Sequence, residues 1–156
     1  MFDWLIHKQK TNRITGPIVD LAVDQKVAAD WQNQYVPSVT YKIYRHGTDQ
    51  EVGTCDIRLG MNKELYYAGN IGYHINLNER GHGYAYEACV LLFQIARDEY
   101  CMDQLIITCS PDNVASRKTL EKLNGKFLET VDVPIDHWLY RRGETVKNIY
   151  EYTLLE

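Results

Sequence analysis

The chain has no C-x-x-C pair, no Gly-Lys-Ser/Thr triplet and no apolar run approaching membrane-spanning length. The missing triplet excludes a Walker phosphate loop, and the short apolar runs exclude a transmembrane helix. Four cysteines are present, Cys55, Cys89, Cys101 and Cys109. No histidine stands at zinc-ligand spacing beside them, so no metal site is expected and they read as reduced thiols. An excess of positive charge is also missing. The net charge of −4 argues against a nucleic-acid-binding surface. No repeat or low-complexity segment occurs. Met1 to Lys10 holds one short apolar patch and no cleavage-site pattern, which predicts a cytoplasmic protein.

What remains is ordinary globular composition, 45% hydrophobic and 24% charged, in a chain expected to form one domain over residues 1–156. Tyrosine is abundant, with 12 copies. Most suit half-exposed strand positions, and some could offer a hydroxyl to a polar ligand. Ile18–Val23, Val39–Arg45 and Glu51–Leu59 read as strands, the last two as an antiparallel hairpin across His46–Asp49. Asp24–Pro37 has room for one short helix or an ordered loop, and Leu65–Leu77 reads as a further strand. From about Gly83 to Tyr100, Ala85, Ala88, Cys89, Leu92, Ile95 and Ala96 form one apolar helical face. Gln104–Cys109 reads as a buried strand of the parallel kind, Val114–Asn124 as a capped helix, and Phe127–Val133 and Lys147–Leu154 as strands. This order predicts an α+β fold: a mixed, mostly antiparallel central sheet flanked by helices.

The most informative stretch is Asn78–Ala88, which holds Arg80-Gly81-His82-Gly83-Tyr84-Ala85 between a strand and a helix start. A glycine-rich turn there gathers unpaired backbone N–H groups at the positive end of a helix dipole, which suits a phosphate. A Rossmann dinucleotide turn fits poorly. Tyr86 stands where the third glycine belongs, and no acidic residue is clearly placed for a ribose.

The pattern R/Q-x-x-G-x-G/A at Arg80–Ala85 resembles the pyrophosphate-binding turn of the GNAT superfamily of acetyl-CoA-dependent N-acyltransferases. The resemblance extends over residues 39–154, and Asn113-x-x-Ser116 is similar to the branch related to ribosomal-protein N-terminal acetyltransferases. It implies a GNAT-like fold and a ternary complex in which a primary amine attacks acetyl-CoA directly and CoA is released. The acceptor would be an amine-bearing small molecule or a protein N-terminus. A homodimer is compatible with this, whereas nucleic acid and membrane are not expected partners. By the same resemblance, Arg80 and the backbone of Gly81, His82, Gly83, Tyr84 and Ala85 would hold the diphosphate. Main-chain groups of Tyr73, His74 and Ile75 would bond the pantetheine arm, beside a wedge between that strand and Ile106–Thr108.

Asn113 would bond the pantetheine and Ser116 the leaving sulfur, although both also suit plain helix capping. The tyrosine that many family members place seven residues after this asparagine is Leu120 here, so Ser116 is the nearest substitute. Candidate bases are His74, Glu64, Asp56 and Tyr73, His74 first because of its ordinary pKa. Arg141 and Arg142 could meet an acidic acceptor or a ribose phosphate, though a solvated turn suits them better. The N-terminal segment is short for this family, so the acceptor cleft is expected to be open or completed by another subunit. The alternative reading is an acyl-CoA-binding sensor or an inactive GNAT-like protein.

Overall fold

Residues 12–154 are described by a computed structural model. Two sheets make up its β structure. The first is an antiparallel sheet in chain order: β1 (Ile14–Thr15), β2 (Val19–Val27), β3 (Ser38–Arg45), β4 (Glu51–Arg58) and β5 (Ile71–Ile75). The second is formed by β6 (Gln104–Cys109), β7 (Lys126–Asp132) and β8 (Val146–Thr153), with β8 in the middle. The helices are α1 (Lys63–Ala68), α2 (Tyr84–Asp98), α3 (Val114–Lys122) and α4 (Trp138–Arg141). Among the described residues no helix is long and apolar enough to cross a membrane.

Alternation in β3 and β4 buries Val39, Tyr41, Ile43, Val52, Cys55 and Ile57 on one face of the first sheet. Helix α2 covers that face with Ala88, Cys89, Leu92, Ile95 and Ala96, each nearly or wholly excluded from solvent. A fully buried Leu or Ile contributes about 1.5–3 kcal/mol, so this seam fixes where the first turn of α2 sits.

The junction of the two sheets creates the wedge. Asn70 is 1% exposed. Its N–H donates to Ile106 O at 2.7 Å, and its Oδ1 accepts from Ile106 N at 2.8 Å. Its Nδ2 donates to the carbonyls of Arg58 and Gly60. One side chain thus pins β5 to β6 at one end. Beyond it the strands diverge, and β6 pairs only with β8. Gly69 permits the close approach: a Cβ there would lie 3.2 Å from Ile106 O, at a φ of +82°.

Three sequence expectations change. Leu65–Leu77 is not one strand. Asn62 caps α1 by accepting from Leu65 N at 2.9 Å, and Gly69 ends it, so the Leu-Tyr-Tyr run is helical and β5 is short. Asp24–Pro37 holds no helix. Strand β2 runs on to Val27, and a turn closed by an Asp30–Tyr35 bridge follows, with Asp30 accepting from Asn33. Strand β6 is buried as expected but is antiparallel to β8, because the position beside β5 is the open wedge.

Candidate active site

The glycine-rich turn sits at the head of α2. Gly81 and Gly83 both adopt left-handed φ, +87° and +75°, and a Cβ on either would meet open space. Backbone conformation and approach from outside, rather than internal packing, therefore account for glycine here. Gly83 is the N-cap residue of α2, without a side-chain cap. The first N–H groups of the helix are left to whatever occupies the cleft in front of them.

That cleft has a volume of about 600 Å³. Tyr73, His74, Ile75, Arg80, Gly81, Gly83, Tyr84, Ala85, Asn113 and Ser116 all line it, together with Glu79 and Lys118. Of the sequence-selected set only His82 lies outside its lining. The His82 ring stacks on Tyr84 with centroids 5.3 Å apart, and its Nδ1 donates to Glu79 O at 3.0 Å. Arg80 is anchored by Nε donating to Ile75 O at 3.1 Å. Behind the turn, Arg45 donates to Tyr84 Oη at 3.1 Å and to Glu79 Oε2 at 3.1 Å, while Gln50 donates to Glu79 Oε1 at 2.7 Å. This clamp pairs the Glu79 carboxylate that borders the turn, a feature sequence reasoning missed.

A smaller cavity of about 270 Å³ lies deeper in the wedge and shares Tyr73, Asn113 and Ser116 with the cleft. At the shared edge the Tyr73 hydroxyl donates to Ser116 Oγ at 3.1 Å. Burial, opposed by that bond to Ser116, pushes the Tyr73 phenol up to about 12, so it stays protonated and able to donate. Asn113 caps α3, its Oδ1 accepting from Ser116 N at 3.2 Å. Leu120 is wholly buried and its carbonyl accepts from the Tyr152 hydroxyl at 2.7 Å. That position belongs to the core, and the phenol near Ser116 comes from β5 instead. Only the tertiary structure brings Tyr73 and Ser116 together, across 43 residues of sequence.

The candidate bases scatter. His74 is exposed and, by strand alternation, projects from the face of β5 opposite Tyr73; no hydrogen bond joins it to Ser116 among the described residues. On that opposite face Asp56 is paired with Arg58 at 3.0 Å. Burial raises the Asp56 carboxyl and Arg58 partly offsets the rise. Gly72 makes room for the pair, since a Cβ there would lie 2.6 Å from Asp56 Oδ1. Glu64 lies farther off. Arg58 and Trp138 line the deeper cavity and also a cavity of about 550 Å³ that Glu64 borders. Three cavities thus follow one another, through shared lining residues, from the turn to Glu64. Of the two candidate arginines, Arg142 lines the deeper cavity, with its guanidinium 5.6 Å from the Trp138 ring, and Arg141 borders a separate groove of about 680 Å³ that Glu64 and Trp138 also line.

The fold has known counterparts. A structure provisionally described as a ribosomal-protein-serine acetyltransferase from Vibrio cholerae superposes with a TM-score of 0.64 at 14% identity, covering 90% of this chain and 97% of that one. An acetyltransferase of the GNAT family from Bacillus anthracis gives 0.60 at 23% identity, over 75% and 67%. RimL, the ribosomal L7/L12 alpha-N-protein acetyltransferase, in complex with coenzyme A, gives 0.64 at 13% identity, over 90% and 96%. In sequence, the uncharacterized N-acetyltransferase YjdG of Bacillus subtilis is 36% identical over 70 residues, 45% of this chain and 41% of that protein. The chain thus aligns with less than half the length of this curated relative. The acetyltransferase (GNAT) domain matches residues 1–126, and with most of its length inside that match and the fold to go with it, the chain belongs to the GNAT acetyltransferase family.

Proposed function

We propose that this protein transfers the acetyl group of acetyl-CoA to a primary amine, of a small molecule or of a protein N-terminus. The observation that carries this reading is a row of three cavities that share lining residues along the wedge. A glycine-lined, N–H-rich turn stands at one mouth, a Tyr73–Ser116 hydroxyl pair in the middle, and a second opening lies beyond Arg58 and Trp138. The residues fit a diphosphate-bearing thioester, because two glycines in left-handed conformation keep side chains away from the open face of the turn. When bound, acetyl-CoA supplies an activated acetyl group: a carbon–nitrogen bond to the amine forms, the carbon–sulfur bond breaks, and the amine's proton passes, directly or through solvent, to the departing thiolate.

The chain's own residues divide the remaining work. Backbone N–H groups of 81–85, with Arg80 beside them, hold the diphosphate, and the Arg45–Glu79 clamp keeps that turn rigid and its carboxylate paired. Main-chain groups of β5 that β6 does not pair, apart from Ile75 O, which accepts from Arg80 Nε, can hold the extended arm as a sheet edge would. Ser116 Oγ accepts from Tyr73, so its own proton points free for donation into the wedge. His74 faces away from this pair and takes no part in it. RimL, a ribosomal-protein acetyltransferase, shares the fold, which keeps a protein N-terminus among the acceptors.

Parallel calorimetric titrations with acetyl-CoA, CoA and NAD, followed by thiol release in the presence of amines, test the proposal. Micromolar acetyl-CoA binding with thiol release supports it. Binding without turnover on any amine would leave an acyl-CoA-binding protein, and no binding to folded protein would overturn the reading.

A further inference from the structure

The outer mouth of the wedge is built from the turn after β2, from α1 and from α4. It comprises the cavity of about 550 Å³ and an adjoining one of about 680 Å³, which share Tyr35, Glu64 and Trp138. Tyr66 and Tyr67 line the adjoining groove, with their rings edge to face at 5.5 Å. In the middle of these aromatic faces Glu64 is held in place. Its Oε1 accepts from Trp138 Nε1, and its backbone carbonyl accepts from His137 Nε2 at 3.0 Å. His137 is 8% exposed and is fixed in turn by its Nδ1 accepting from Leu139 N at 3.1 Å. Glu64 Oε2 has no hydrogen-bond partner among the described residues. Asp30, from the turn, adds a second carboxylate to the wall.

Of the cations around this mouth, Arg142 comes within 5.6 Å of the Trp138 ring from the deeper cavity and pairs with Glu144 at 3.6 Å, and His137 Nε2, 3.8 Å from Glu64 Oε1, donates to the Glu64 carbonyl. Arg58 is committed to Asp56 and to the carbonyls of Ala68 and Gly69. Lys63 and Arg141 are exposed and border only the adjoining groove, where Asp136 accompanies them. Neither Tyr73 nor Ser116 lines the Glu64 cavities, so the carboxylate stands beyond the place of reaction. A fixed carboxylate among aromatic faces is the chemistry that recognises an organic ammonium group.

We propose that the outer mouth binds a second positive charge of the acceptor, and that the substrate is a small organic cation carrying two amino groups. One amine, neutral, is acetylated in the wedge; the other, still protonated, is held by Glu64 against Trp138 and Tyr35. This rests on the acetyltransferase reading for the reaction but not for the binding. Glu64 is a specificity-determining residue here and not the base.

The test compares putrescine and spermidine with monoamines of matched length and with a peptide bearing a free N-terminus, by thiol release. Calorimetry of spermidine on the unliganded protein runs alongside. The expected result is a preference for the diamines of about tenfold or more in kcat/KM, carried in KM, the size of one well-placed charge contact. Glu64→Gln reduces that ratio about tenfold. Trp138→Phe, which removes the N–H holding Glu64, and Tyr35→Ala, at a position 55% exposed and outside the core, reduce it by smaller factors. Equal use of diamines and monoamines overturns the proposal, as does a diamine preference that survives Glu64→Gln, or a peptide that outcompetes every diamine. Spermidine binding that Glu64→Gln abolishes, in a protein that neither binds acetyl-CoA nor releases thiol, sustains the cation site while removing the acetyltransferase reading. Failure of both binding and turnover removes both.

Discussion

The head of α2 offers a substitution pair that isolates charge from backbone. Gly83 has a φ of +75° and open space around the position of a Cβ, so an added side chain meets no clash. Its cost is conformational, about 1–2 kcal/mol for an ordinary L-residue in this region, and smaller for Asn or Asp. Gly83→Asn and Gly83→Asp have nearly the same shape and the same tolerance of left-handed backbone, and they differ by one charge. Against a bound diphosphate at an open turn that charge is worth about 1–2 kcal/mol, between the values for bulk water and for a protein surface. Acetyl-CoA should therefore bind Gly83→Asp about 5- to 30-fold more weakly than Gly83→Asn, and the gap should shrink as salt is raised. The folded state should show the opposite order, because a carboxylate at a helix N-terminus is favourable by about 0.3–1 kcal/mol. Calorimetric titration at low and high salt, with a thermal melt of each unliganded variant, reads both quantities. Equal acetyl-CoA affinities for the two variants at low salt would refute the placement of the diphosphate at this turn.

Other perturbations probe the remaining parts. Tyr73→Phe and Ser116→Ala should each lower kcat about tenfold or more, with less change in KM for acetyl-CoA, and the double variant should be no slower than the worse single one; additive losses in steady-state kinetics would separate the two hydroxyls. Leu120→Tyr, which installs the family's usual tyrosine, should not raise activity and should lower the melting temperature, since Leu120 is wholly buried and overpacking costs about 1–3 kcal/mol. Arg45→Gln should weaken acetyl-CoA binding severalfold by leaving Glu79 unpaired beside the turn, and Glu79→Gln in the same background should restore it. Burial acts to raise the Asp20 carboxyl, but hydrogen bonds from Gly47 N, His46 and Gly16 N outweigh it and hold the group below the ordinary aspartate value. A depressed carboxyl stabilises the fold above its unfolded pKa and loses that contribution as pH falls through the folded value. Asp20→Asn should thus lower the urea midpoint at neutral pH, with the difference from the parent closing below about pH 4.

Signals confined to one element were legible without a structure. The Ala88, Cys89, Leu92, Ile95, Ala96 stripe names the buried face of α2, and alternation through Val39, Tyr41 and Ile43 names that of β3. The glycine turn falls between β5 and α2 as its spacing implies, with both glycines left-handed. The failures are equally physical. Leu65-Tyr66-Tyr67 has the composition of a strand, but Asn62 and Gly69 bracket it as a helix, and a cap outweighs weak β-propensity over so few residues. Asn113 and Ser116 stand three apart at a helix start and both line the cleft, yet nothing in their spacing reports that Tyr73 reaches Ser116 from another sheet.

The sequence by itself determined the family, the α+β order of elements and the glycine-rich turn ahead of α2, because each is written in local periodicity or in residues a few positions apart. The tertiary structure alone decided the wedge, opened by Asn70 where it pins β5 to β6. It alone brought the Tyr73 hydroxyl to Ser116, and gathered Glu64, Trp138 and Tyr35 from distant segments into one mouth. Those groupings depend on where two sheets part and on which side chains then face the gap, and no short-range pattern along the chain encodes that geometry.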